Sequence, residues 1–130
     1  MTSTSASTPR GASNRTAAGY LVAQALAVLV WWVLVFGSAP VRAWFFPYGG
    51  LDPAFTAFVV PDLVFIVGGS VVVARQRLRG KAGARASGIL LGAVGYATLY
   101  TLGWTVVLQA PVPGAIAMLV ISTGTWLACR

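Results

Sequence analysis

The chain has 130 residues, 58% of them hydrophobic and only 8% charged, with a mean hydropathy of +0.82. A soluble domain carries about 25% charged residues, so there is too little polar surface to cover a water-soluble core, and lipid is the expected solvent. Nine basic residues against two acids give a net charge of +7, yet nucleic acid is not the expected partner, because the basic residues fall in tails and one loop, where a membrane protein uses them to set its orientation.

Residues 1–17 are rich in Ser, Thr, Ala and Gly, with Arg10 and Arg15, and read as a disordered tail. The first apolar segment, about 18–37, holds Trp31 and Trp32 and no charge. Its length of about 20 residues suits a hydrocarbon core of about 30 Å. A cleaved signal peptide is the competing reading, with Val41-Arg42-Ala43 as the cleavage site. The stretch exceeds the usual apolar core of about 7–15 residues, which favours a retained span.

Arg42, Trp44, Phe45, Phe46 and Tyr48 follow. Rings of this kind prefer the headgroup boundary, so a short interfacial helix over 41–46 is expected. Pro47 and Gly49-Gly50 then turn the chain, and Asp52-Pro53 has the form of an N-cap and first-turn proline. The second span is expected over about 53–74, kinked by Pro61. Arg75, Arg77, Arg79, Lys81 and Arg85 follow without an acid. A third span over about 87–109 and a fourth over about 113–129 complete the chain, joined at Pro111-Val112-Pro113-Gly114. Basic loops stay in the cytoplasm, so both termini are expected inside. The high Ala, Gly, Val and Arg content with a single Lys reads as a GC-rich bacterial coding sequence, which makes the bacterial inner membrane the expected location.

Asp62 is the one acid inside an apolar run, Ala54 to Gly69. Such a charge costs roughly 2.5–3.5 kcal/mol on insertion scales. It lies about nine residues into its span, hence about 13 Å deep in the outer half. Two readings stand side by side. Asp62 is either a proton-carrying or cation-binding carboxylate, or a lock that hydrogen-bonds Tyr96, Tyr100, Thr98 or Thr101, or is reached by Arg42. Tyr96 and Tyr100 share one helix face. Thr98, Thr101 and Thr105 form another stripe, whose hydroxyls either line a cavity or bond within the helix packing. Gly88, Gly92 and Gly95 form a small-residue stripe for close helix packing, within the bundle against Ala23 and Ala27 or between protomers. Gln24 is a further polar residue able to bridge helices.

Chemistry is bounded by what is missing. There is no histidine, which removes the commonest general base and metal ligand. Cys129 is the single cysteine, so no intrachain disulfide forms. No catalytic motif, metal site or cofactor is expected.

Trp31-Trp32, Pro40-Val41-Arg42, Trp44-Phe45-Phe46-Pro47, Pro61-Asp62-Leu63 and Tyr96-Ala97-Thr98-Leu99-Tyr100 resemble the N-terminal membrane region of bacterial isoprenylcysteine carboxyl methyltransferase-type proteins. The Arg-His-Pro run of that family's cofactor-binding part has no counterpart, so the resemblance implies a membrane region without methyl transfer.

The expectation is therefore an all-α bundle of four transmembrane helices. Its leading functional reading is a structural or accessory membrane protein. The alternatives are a proton-coupled carrier or channel using Asp62 and the membrane region of a methyltransferase-like enzyme. The bilayer, further copies of the chain or a larger membrane complex are the expected partners.

Overall fold

The structure, a computed structural model, describes residues 9–46, 53–81 and 83–130. Among them there is no strand. Five helices carry the fold: α1 Pro9–Gly37, α2 Ala39–Phe45, α3 Val59–Leu78, α4 Ala84–Val107 and α5 Val112–Cys129, with a four-residue helical turn, Pro53–Thr56, ahead of α3. Four of them, α1 from Gly11 together with α3, α4 and α5, are long and apolar enough to cross a membrane. The chain is an all-α bundle built on these four.

The helix ends differ from the sequence expectation in informative ways. α1 begins at Pro9, inside the stretch read as a tail; proline suits a first helical turn, and the helix runs on without a break into the apolar segment. Residues 1–8 lie outside the described residues. At 1.5 Å per residue α1 is about 43 Å long, so its first turns extend beyond an apolar slab of about 30 Å. α3 runs on to Leu78 rather than ending near 74, and its stop is a Schellman cap. Lys81 N–H donates to Gln76 O and Gly80 N–H to Arg77 O, with Gly80 at φ +66°; a left-handed residue is needed there and glycine supplies it. α4 and α5 start at Ala84 and Val112 rather than at 87 and 113, and α4 ends at Val107 rather than 109.

α2 is the expected short aromatic helix, started by Ser38, whose hydroxyl accepts from Val41 N–H at 3.5 Å. The expected turn at Pro47 to Gly50 and the N-cap Asp52 lie outside the described residues.

Two side-chain pairs fix the register of α1 against α3: Gln24 with Ser70 and Trp32 with Asp62. Rising numbers in one helix meet falling numbers in the other, so the two are antiparallel. α1 packs against α3 and α5, and α4 packs against the same two, which sets α1 and α4 on a diagonal. Leu21, Val35, Val73, Leu90 and Val94 are fully buried between them. The outer surface is apolar too, with Val33, Leu99, Val106 and Val107 all at least 70% exposed. Arg15, Arg75, Arg77, Arg79, Lys81, Arg85 and Arg130 gather at the end where α1 begins and α3 stops. Arg42 and α2 mark the opposite, aromatic end.

Candidate functional site

Pro61 shapes the site. It has no N–H to give, and its ring clashes with the carbonyl four residues back, at Ala57. The helical winding is interrupted at Ala57-Phe58, one turn before the proline. Winding resumes at Val59, and Asp62 N–H donates to Phe58 O at 2.9 Å. From Asp62 to Gly68 the helix is then π-wound. Such segments are rare and frequently mark functional sites. The sequence expectation of a simple kink is replaced by a break followed by a wide turn that starts on Asp62.

Asp62 Oδ2 accepts a hydrogen bond from Trp32 Nε1 at 3.0 Å. Trp32 is only 3% exposed, and a buried indole N–H needs an acceptor. The expected partners are therefore corrected. Arg42 does not pair with the carboxylate; its Nη1 donates to Val35 O at 3.0 Å and Phe36 O at 3.1 Å, filling the unsatisfied last-turn carbonyls of α1. Thr98 and Thr101 donate to Val94 O and Ala97 O one turn back, each at 2.8 Å. Tyr96 and Tyr100 lie close by, but their rings pack on Phe58, Tyr96 stacked with centroids 6.4 Å apart and Tyr100 tilted at 4.3 Å.

A pocket of about 240 Å³ opens beside Asp62. Trp31, Phe45, Phe58, Ile66, Tyr100, Thr101, Gly114 and Met118 line it, so all four long helices and α2 contribute. At Gly114 a Cβ would stand at ordinary packing distance, 3.5 Å from the Phe45 ring and 3.7 Å from the Thr101 methyl, so this wall has room for an alanine. A second hollow of about 340 Å³ lies between α3 and α4, along Pro61, Phe65, Ile89, Gly92 and Tyr96. Phe58, Asp62, Ile66 and Ala97 line both. Asp62 thus stands in the wall between the interior pocket and a groove on the flank of the bundle.

The glycine stripe does not act as expected within the bundle. Nothing lies within 4 Å of where a Cβ would stand at Gly88, Gly92 or Gly95. Ala23 and Ala27 cannot meet them, because α1 and α4 are diagonal. The close approach falls elsewhere: a Cβ at Gly124 would run into the Tyr20 ring, whose hydroxyl donates to Ile121 O at 3.1 Å.

Gln24, read as able to bridge helices, does so in a buried polar cluster whose partners Ser70 and Thr125 sequence reasoning missed. Gln24 Nε2 donates to Ser70 Oγ at 3.1 Å, and Thr125 Oγ1 donates to Gln24 Oε1 at 2.7 Å. All three are nearly or fully buried. They tie α1, α3 and α5 together two turns from the Trp32–Asp62 pair. The available signal was Gln24 itself, since an amide in an apolar helix must find partners.

Chemically, this arrangement can hold a small guest beside a carboxylate. Among the described residues no three His, Cys, Asp or Glu side chains come together. The pocket offers one carboxylate, aromatic faces and two hydroxyl-bearing side chains. Compared with known protein families, curated proteins and solved structures, the chain matches none.

Proposed function

We propose that this chain is a small multi-pass protein of a bacterial inner membrane, with both termini cytoplasmic, that binds a small guest inside its bundle as an accessory or carrier component and does not catalyse a reaction. The observation that carries this reading is the pocket of about 240 Å³ walled by Asp62. A pure structural bundle gains nothing from such a hollow, because lost packing contacts destabilise it. The clustering of basic residues at one end supports the orientation.

A second reading, the membrane region of a methyltransferase-like protein, is favoured by one observation. Trp31-Trp32, Phe45, Pro61-Asp62 and Tyr100, which carry the resemblance from separate stretches of sequence, converge around this pocket.

A guest that binds only the folded state raises its stability. Toluene is therefore expected to raise the thermal unfolding midpoint of the purified full chain. Ala97→Phe, which fills the pocket, is expected to fold at least as stably and to lose that response. Identical toluene responses in the two proteins would overturn the reading.

A further inference from the structure

We propose that the pocket beside Asp62 binds lipophilic ammonium ions: organic cations with a fixed positive charge on an apolar body about the size of an aryl group. This rests on the pocket reading above and names its ligand.

The first argument is the uncompensated acid. A carboxylate in an apolar interior demands a countercharge or a full set of donors. Arg42 is the basic residue at this end of the bundle, and its guanidinium is committed to the carbonyls of Val35 and Phe36. The remaining basic residues belong to the opposite end, and residues 47–52 contain none. One neutral indole N–H, at 3.0 Å, serves one oxygen of Asp62. The other oxygen makes no hydrogen bond among the described residues. A guest cation would supply what the chain itself does not.

The second argument is the wall. Trp31, Phe45, Phe58 and Tyr100 ring the pocket. Aromatic faces attract ammonium groups, and their use in recognising quaternary ammonium ligands is well founded. Hard metal cations are excluded by the same wall, since they require about six or more oxygen ligands and this pocket is mostly hydrocarbon. An anion would be repelled by Asp62, and a neutral guest would leave the carboxylate unpaired.

The third argument is access and size. The groove between α3 and α4 reaches the same Asp62 from the apolar flank of the bundle. A ligand entering there must dissolve in hydrocarbon as well as carry charge. A cavity of about 150 Å³ takes up benzene, so about 240 Å³ accommodates a phenyl ring with a small ammonium head.

The test uses the full chain in nanodiscs and two probes of the same shape, benzyltrimethylammonium and its neutral isostere neopentylbenzene. Binding is read by equilibrium dialysis, with empty nanodiscs subtracted. The wild type is expected to bind the cation at least about tenfold more tightly than the neutral probe. Asp62→Asn keeps an acceptor for Trp32 and is expected to abolish that preference while changing neutral binding by less than about twofold. Trp31→Leu, which leaves the carboxylate and its indole partner in place, is expected to weaken the cation more than the neutral probe. Equal affinity for the two probes in the wild type, or an unchanged preference in Asp62→Asn, overturns the proposal and leaves the pocket reading standing. Failure of both probes to bind overturns both.

Discussion

At the scale of single residues, the Trp32–Asp62 pair decides how the acid is tolerated. Hydrogen bonds between membrane helices are modest, averaging about 0.6 and reaching about 1.7 kcal/mol in double-mutant cycles. A buried acceptor that loses its donor costs more, about 1–3 kcal/mol. Trp32→Phe removes both the donor and some packing volume, so the single variant is ambiguous. A cycle of Trp32→Phe with Asp62→Ala, read from unfolding in denaturing detergent, separates the two. A coupling of about 1 kcal/mol is expected. A coupling near zero would mean that the 3.0 Å contact contributes nothing to the bundle. The sequence marked Asp62 as the anomaly because only one acid interrupts that apolar run. It did not reveal the partner, because the register of α1 against α3 is a tertiary property. The nearest candidates by residue type were hydroxyls and a guanidinium. Arg42, Thr98 and Thr101 each found a backbone carbonyl closer to home, while the Trp32 indole reaches across to α3.

At the scale of elements, the π-wound segment joins Asp62 to the rest of α3. Each π turn holds about one residue more than an α turn, so the seven residues Asp62–Gly68 turn about as far as six residues of α-helix. The wide winding thus absorbs one extra residue while Asp62 and Ser70 keep facing Trp32 and Gln24. Deletion of Val64, which faces outward at 58% exposure, takes that residue out, and both the Gln24–Ser70 bond and the Trp32–Asp62 coupling are expected to survive in a regular α-helix. Loss of the Trp32–Asp62 coupling in the deletion variant would show that the π winding itself positions the carboxylate. The four long helices were readable because each is an apolar run of sufficient length bounded by Pro, Gly or basic residues. The π segment was not, since Pro61 announces an irregularity without saying how the backbone resolves it. The Gly88, Gly92 and Gly95 stripe misled for a related reason. Small-residue spacing says that a close approach is permitted, and the bundle made its close approaches at Gly69, against Leu90, and at Gly124, against Tyr20, instead.

At the scale of the whole molecule, the distribution of charge supplies a direction that the apolar surface cannot. Of nine basic residues, all but Arg42 belong to the end formed by the start of α1, the α3–α4 connection and the end of α5. Near an anionic leaflet each such residue contributes about 1 kcal/mol, so eight together far outweigh one opposing charge. In the orientation proposed above the basic end would face the cytoplasm, and the pocket, at the aromatic end, the outer leaflet. Cys129 is the only native thiol, so a Cys129→Ser background gives a clean labelling experiment. Lys81→Cys in that background is expected to resist a membrane-impermeant maleimide in intact cells and to react after permeabilisation. Ala39→Cys, at an exposed position on α2, is expected to react in intact cells. The reverse pattern would turn the bundle over, and the groove at Asp62 would then draw its ligand from the inner leaflet. The direction from which a lipophilic cation reaches this protein therefore depends on the same charges that orient the chain.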